Sequence, residues 1–443
     1  MKASARIIAA IAFLLCALGV SDRADAAPNI VFVLADDMGL GDTSSYGGRI
    51  ANTPQLERLA RGGTRFTQYY AASPICSPSR CGLITGHFPA KWKITSFLQT
   101  RAGNRECGQA DFLDERAPSL PRVLKTAGYA TAHIGKWHLG GGRDVVNAPK
   151  FAEYGYDLGL GTYESPEPAT GLGLKTEPWG KQLEPQQVPR HERTRWMVDE
   201  TIAFLKRNDG KPCFVNLWLD DTHTPWVPAA PDGAKDGGRS DLTKVTEEMD
   251  RQIGRLMDAV PANTLLIFAS DNGPLPTFKG ARNNGLRGSK LSLYEGGIRL
   301  PFIARWPGHV AAGKVDETTV LHAVDMMPTL AKIAGAPLPE GYVGDGVDAS
   351  DALLGKPMTR ANPLLWEYGR NETSFKYPEA PDRSPNVAIR VGRWKLLINA
   401  DGTGAELYDL DEDCNETRNL APERTDIAKR FTDAALAWRK SLP

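Results

Sequence analysis

The sequence predicts an α/β fold in which helices sandwich a large mixed central β-sheet, followed by a smaller C-terminal antiparallel sheet with a helix. Three observations carry this. Residues 29–35, 213–219 and 263–269 are near-continuous apolar runs, the pattern of strands buried on both faces. Amphipathic stretches alternate with them, and strand–helix alternation builds a sheet with helices on its faces. From about residue 361 the pattern changes to short strands with no helix between them, which reads as a separate antiparallel α+β unit.

In chain order, Lys2 and Arg6 precede an apolar run over residues 7–20, and small residues stand at Ala24 and Ala26. That order is a secretory signal peptide with cleavage after Ala26, and the run is shorter than the ~20 residues of a spanning helix. The chain is expected to be exported, periplasmic or extracellular, and not membrane-spanning. The division expected is a signal peptide over 1–26, a catalytic domain over 27–360 and a C-terminal α+β subdomain over 361–443. The strand at 29–35 ends in Asp36-Asp37. A helix is predicted from Thr53-Pro54, with Thr as N-cap and Pro in the first turn, to the stop at Gly62-Gly63. Residues 118–127 read as a helix ended by Gly128, and 129–134 as a strand. Residues 191–206 read as a helix because Trp196, Ile202, Phe204 and Leu205 fall at helical spacing. A strand over 213–219, a helix over 241–259 and a strand over 263–269 follow, the last ending at Ser270-Asp271-Asn272. Residues 91–117 and 140–190 lack periodicity and are too long for simple connectors, so they read as rim loops or small insertions. Strands at 364–368, 387–391, 394–398 and 406–408 and a helix over 423–440 close the chain.

The chain has 53 basic and 53 acidic residues, a balance that offers no electrostatic footprint for nucleic acid. A 41% hydrophobic content is ordinary for a globular protein with a sizeable core. Removing residues 1–26 leaves Cys76, Cys81, Cys107, Cys213 and Cys414, and an odd count in an exported protein points to a special or free thiol. Four others suffice for two disulfides, with no pairing deducible. No C-x-x-C occurs, which argues against a zinc ribbon or thioredoxin-type site.

Asp36-Asp37 and Asp271-Asn272 both follow buried strands, where open α/β sheets place their ligands. Four adjacent oxygen-bearing side chains suit a hard divalent cation such as Ca²⁺ or Mg²⁺. Either pair alone also reads as the start of a turn. In Cys76-Ser77-Pro78-Ser79-Arg80, Pro78 fits a first helical turn and places Cys76 near a helix N-terminus, where backbone N–H groups favour an anionic ester. Arg80 then adds a fork for charged oxygens. By spacing alone, Cys76 reads equally well as a buried or disulfide cysteine.

The C-x-P-S-R run with Thr85-Gly86 resembles the signature of the formylglycine-dependent (type I) sulfatases of the alkaline phosphatase superfamily. Residues 29–39 resemble that family's opening strand and metal site, Gly135-Lys136-Trp137-His138-Leu139-Gly140 its G-K-W-H-L-G motif, and Thr222-His223-Thr224-Pro225 its H-x-P segment. Ser270-Asp271-Asn272-Gly273 is similar to its second metal pair, and residues 287–299 to its G-x-K…E-G-G-x-R segment. The likeness is close over 28 to about 335 and weaker through Arg393-Trp394-Lys395-Leu396 and 406–410. It implies an alkaline phosphatase-like fold and hydrolysis of sulfate esters by a formylglycine made from Cys76 by a maturation enzyme. One hydroxyl of the hydrated aldehyde, activated beside the cation, attacks sulfur. By the same resemblance Asp36, Asp37, Asp271 and Asn272 would ligate Ca²⁺, the family's usual metal, together with residue 76. Lys136, His223 and Lys290 bind the sulfate oxygens, His223 or Lys290 protonates the leaving alcohol, His138 deprotonates the second hydroxyl, and Arg80 orients residue 76. His87 stands where the family often has Arg. The expected substrate is a sulfated carbohydrate, with Trp92, Arg101, Arg143, Asp144 and Trp226 as candidate sugar contacts. Two other readings stay open at this point: a phosphonate or phosphodiester hydrolase on the same fold, and a binder of sulfated glycans without turnover.

Overall fold

The computed structural model describes residues 27–162, 164–166, 188–229, 237–370, 378 and 381–443. The signal-peptide expectation for 1–26 and much of the aperiodic stretch 140–190 lie outside them. Among the described residues a nine-stranded mixed sheet runs in the order β4-β3-β5-β1-β6-β7-β2-β8, with β9 also pairing β2. Its strands are β1 (Asn29–Ala35), β2 (Thr64–Tyr70), β3 (Ala130–Gly135), β4 (Leu158–Gly161), β5 (Cys213–Trp218), β6 (Thr264–Ser270), β7 (Arg299–Arg305), β8 (Lys314–Asp316) and β9 (Leu321–His322). The five strands from β4 to β6 are mutually parallel, and β7 runs antiparallel to both β6 and β2.

Strand periodicity explains why β1 and β6 read as unbroken apolar runs. Ile30, Phe32 and Leu34 enter one core, while Val31, Val33 and Ala35 enter the other; Leu265 and Ile267 oppose Leu266 and Phe268 in the same way. One core is roofed by helices α2 (Cys76–Thr85), α4 (Leu120–Thr126) and α8 (Met326–Ile333). The other is roofed by α1 (Pro54–Arg61), α5 (Arg193–Arg207) and α6 (Arg239–Ala259). Three shorter helices complete this part: α3 (Arg101–Glu106), α7 (Glu295–Ile298) and α9 (Ser350–Leu353).

The predicted elements recur within a few residues. Others were not anticipated: among the strands β2, whose Arg65, Thr67 and Gln68 dilute its apolar pattern, β7, and the short strands β4, β8 and β9, and among the helices α3, α7, α8 and α9. The Thr53 cap is a correction. Thr53 Oγ1 accepts from Ser44 N–H (3.0 Å), and the Asp250 carboxylate of α6 accepts from Gln55 and Leu56 N–H at 2.9 and 2.8 Å. Among the described residues no disulfide forms, and the five cysteines there are all thiols. No described helix is long and apolar enough to cross a membrane.

The second sheet, β10 (Leu364–Glu367), β11 (Val387–Val391), β12 (Trp394–Ile398) and β13 (Glu406–Asp409), is antiparallel throughout, and α10 (Thr425–Ser441) packs on β11 and β12. Trp366 Nε1 donates to the Ala71 carbonyl at 2.8 Å, and a fully buried ionic triad joins the two sheets. Lys395 Nζ donates to Glu295 Oε1 at 2.9 Å and lies the same distance from Glu416 Oε1.

Candidate active site

Four parallel strands deliver the site from their C-terminal ends, the edge where open α/β sheets bind ligands. β1 leads into Asp36 and Asp37, β6 into Asp271 and Asn272, β3 into Lys136 and His138, and β5 into the loop bearing His223. Gly135 makes the turn out of β3 at φ +112°, and a Cβ there would lie 1.8 Å from the Trp218 carbonyl oxygen, so only glycine fits. Asp37 holds φ +59°, a strained value for aspartate, with its N–H donating to Asp271 Oδ1 at 3.1 Å.

Cys76 opens α2, a helix buried along its whole length and ended by Gly86 in the left-handed region. Its Sγ lies 3.6 Å from Asp36 Oδ1, 3.9 Å from Asp37 Oδ1, 3.4 Å from Lys136 Nζ and 3.6 Å from Lys290 Nζ. Lys136 Nζ donates to Asp36 Oδ2 at 2.5 Å, and Lys290 Nζ to both Asp37 oxygens at 2.6 and 2.7 Å. Arg80, one turn along α2, donates through Nε and Nη2 to Asp271 Oδ2 at 3.0 and 2.7 Å, and through Nη1 to the Lys136 carbonyl at 2.8 Å. It is wholly buried. His223 Nε2 stands 3.6 Å from Asp37 Oδ2.

Burial opposes charge on Asp36, yet Lys136, His223, Arg80 and Lys290 together outweigh it and hold the carboxyl well below the usual range. Asp37 moves down likewise, chiefly through Lys290. Burial pushes Asp271 up to about 6 despite Arg80. Burial also pushes the Cys76 thiol up to about 12, so it is protonated at neutral pH and a poor thiolate nucleophile. His138 falls well below the ordinary histidine value, through burial first and then the charges of Lys136 and Arg80. Burial takes His223 down to about 4 against the pull of Asp37. Both imidazoles are therefore neutral at pH 7 in this state.

The donor set fits a hard cation. Ligand atoms of Asp36, Asp37, Cys76 and His223 lie within 4.8 Å of one another. Asn272 Nδ2 donates to Asp37 Oδ1 at 2.8 Å, while its Oδ1 is buried with no hydrogen-bond partner. Three carboxylates and an unpartnered amide oxygen suit an oxygen-seeking divalent ion.

The expected catalytic and metal-binding residues thus converge, with His138 beside them. His138 Nε2 lies 3.3 Å from the Leu98 carbonyl, and Leu98 N–H donates to Ser77 Oγ next to Cys76. The expected sugar contacts divide. Arg143 pairs with the buried Glu164 at 2.5 Å, close enough for its charge to act on His138, and Asp144 is exposed on the same loop. Arg101 is tied to that loop: its N–H donates to Asp144 Oδ1 at 2.9 Å and its guanidinium pairs with Asp111 at 2.8 Å. Two expectations need correcting. Trp226 is 3% exposed, donates to the Thr222 carbonyl at 2.9 Å, and packs under the His223 loop without a face for sugar. Trp92 stacks on His87, past the far end of α2 from Cys76, about 15 Å of helix away.

The sequence reading missed Arg282, 1% exposed, which ion-pairs with Asp42 at 2.8 Å and donates to the Asp37 carbonyl at 2.8 Å and to Thr222 Oγ1 at 3.1 Å. It sits in the irregular stretch 278–283, where no periodicity marks it.

The comparisons with known proteins agree with this geometry. A family described as sulfatase matches residues 28–336, and one described as N-sulphoglucosamine sulphohydrolase, C-terminal, matches residues 289–440. The N-acetylgalactosamine-6-O-sulfatase of Bacteroides thetaiotaomicron is 30% identical over 92% of this chain and 92% of its own length. Human arylsulfatase A is 32% identical over 92% of this chain and 82% of its own. A solved structure described in terms of glycosaminoglycan metabolism by Bacteroides thetaiotaomicron superimposes with a TM-score of 0.76 at 25% identity, covering 93% of this chain and 99% of that one.

Proposed function

The chain belongs to the sulfatase family and is a sulfuric ester hydrolase, and from that premise we propose that its nucleophile is a formylglycine made from Cys76 and that its substrate is a sulfated carbohydrate. The observation that carries the first half is the position of Cys76. It opens a buried helix, faces two lysines and two aspartates, and is held as a neutral thiol. Burial outweighs the pull of the two lysines and keeps a thiol there protonated, whereas an oxygen nucleophile meets the same two ammonium donors.

In this reading a maturation enzyme, using an external oxidant, replaces the Cys76 thiol by an aldehyde, and water adds to give a gem-diol. A bound divalent cation, Ca²⁺ in our reading, supplies charge stabilisation for the sulfuryl oxygens. Asp36, Asp37, Asp271 and Asn272 hold it. Arg80 fixes residue 76 and Asp271 against each other. One hydroxyl gives its proton to a flanking aspartate carboxylate and forms an O–S bond as the bond from sulfur to the sugar oxygen breaks, and Lys290, or His223 once protonated in the substrate complex, delivers the proton to that oxygen. Lys136, His223 and Lys290 stabilise the charge on the sulfuryl group. His138 then takes the proton of the second hydroxyl, the C–O bond to sulfate breaks, and the aldehyde is restored.

The sugar reading is supported by the relatives' names and by the rim, where Arg143, Asp144 and Arg101 offer charged groups beside the cleft. The charged, apolar and small-residue order of residues 1–26 supports export, to the periplasm or beyond. Peptide mass spectrometry across residues 75–80 tests the nucleophile: an aldehyde at position 76 is expected, and an active enzyme retaining the thiol refutes it. A panel of defined sulfated saccharides tests the substrate, and activity confined to non-carbohydrate esters overturns that part.

A further inference from the structure

The segment that carries His223 has no regular secondary structure, so individual backbone and side-chain hydrogen bonds hold it. After β5 ends at Trp218, residues 219–225 run as a loop across the sheet's C-terminal edge. On the strand side, Asp36 N–H donates to the Asp221 carbonyl at 2.9 Å and Thr222 N–H to the Asp36 carbonyl at 2.8 Å. On the outer side one guanidinium spans the loop. Arg190 Nη2 donates to the carbonyls of Asp220 at 2.9 Å and His223 at 3.3 Å, and Nη1 lies 2.7 Å from Asp221 Oδ1.

This contact is built, not incidental. The Arg190 side chain is 13% exposed and that of Asp221 8%. Thr194 Oγ1 donates to the second Asp221 oxygen at 2.5 Å, while Thr162 and Arg193 hold Asp220 at 2.6 and 3.2 Å. Asp220 and Asp221 are therefore both braced from the start of α5 and its preceding turn. Arg190 itself stands behind His223, on its backbone oxygen, while the imidazole points the other way to Asp37.

We propose that Arg190 is the positioning residue of His223, fixing the loop so that the imidazole meets the ester oxygens. The proposal rests on the reading of His223 as a group of the sulfate cleft. Reach and shape favour arginine: two nitrogens of one planar fork bridge three oxygens on residues 220, 221 and 223, a spread and planarity that a lysine's compact ammonium does not match. A displacement of about 1 Å in such a group costs up to ~100-fold in rate.

A double-variant cycle on matured enzyme, turning over 4-nitrophenyl sulfate, tests it. Aldehyde content at residue 76 is measured for each variant and kcat is expressed per matured site. Arg190→Gln is expected to lower kcat by about 10- to 100-fold. In a His223→Gln background the same change is expected to have little effect, within about twofold, because the group it positions is gone. Asp221→Asn, milder for folding, should lower kcat less and also fall silent in that background. Arg190→Lys is expected to recover only part of the loss. Wild-type kcat in Arg190→Gln, or a loss that multiplies in full with His223→Gln, overturns the proposal. If His223→Gln alone keeps wild-type kcat, the reading of His223 fails and the proposal falls with it. The single variant separates that case from the others.

Discussion

Replacing Lys395 with methionine tests whether the ionic triad ties the C-terminal sheet to the catalytic one. Lys395, Glu295 and Glu416 are all fully buried. Glu295 also accepts from Tyr70 Oη at 2.6 Å and pairs with Arg299 at 3.6 Å, while Glu416 Oε2 accepts from the Glu295 N–H at 2.6 Å. Methionine fills most of the space but leaves two carboxylates with Arg299 and Arg390 as the nearby cations. Breaking a buried ion pair from one side costs about 3–5 kcal/mol. The cost should depend on pH. Burial pushes Glu416 up to about 7 from an ordinary 4.5, Lys395 notwithstanding, so the folded state takes up a proton that the unfolded state releases. Stability linked to Glu416 is therefore fully present below about 4.5 and is lost as pH rises through about 7, a swing on the order of 3 kcal/mol. Urea unfolding of both proteins at pH 5.5 and pH 8 reads this directly. A loss near 4 kcal/mol at pH 8 and a clearly smaller one at pH 5.5 are expected. A loss below about 1 kcal/mol at pH 8, or the same loss at both pH values, refutes the reasoning. Glu416→Gln should flatten the pH dependence of the parent.

Three further outcomes are expected. Gly135→Ala, which drives a Cβ into the Trp218 carbonyl, should cost at least ~3 kcal/mol of stability by thermal or urea unfolding and displace the adjoining Lys136. Arg80→Lys keeps the charge but loses the fork that joins Asp271 to the Lys136 carbonyl. A fall of at least ~100-fold in kcat/KM is expected, and a rate within a few-fold of wild type contradicts the geometry. Chelation should abolish sulfate release and lower Tm, with Ca²⁺ restoring both; at 100 times its Kd the ion adds about 2.7 kcal/mol, and a Tm indifferent to Ca²⁺ would tell against the site.

Much of the site was legible before any coordinates. β1, β5 and β6 are buried on both faces, so their residues are apolar almost throughout and the Asp-bearing pairs that follow β1 and β6 stand out. Cys76, Arg80, Lys136 and Lys290 sit in short local runs whose residue types state their chemistry. β2 was hidden because its polar members find partners far along the chain: Gln68 accepts from Arg390 at 2.5 Å, and the Thr67 carbonyl from Arg299 at 2.7 Å. Trp92 and Trp226 were misplaced because an aromatic residue in an aperiodic stretch carries no signal of which way it faces.

The sequence by itself determined the buried central strands β1, β3, β5 and β6, the family resemblance and the types of group that meet in the site, because backbone propensity, burial period and side-chain chemistry act over a few residues. Tertiary structure alone decided who holds those groups in place. α1 is capped by Asp250 and not by its own Thr53, Asp37 is held by Arg282, the His223 loop by Arg190, and Glu295 by Lys395. Each is a charge or hydrogen bond between segments 33 to 245 residues apart, and nothing local can specify a partner that only folding brings within 3.5 Å.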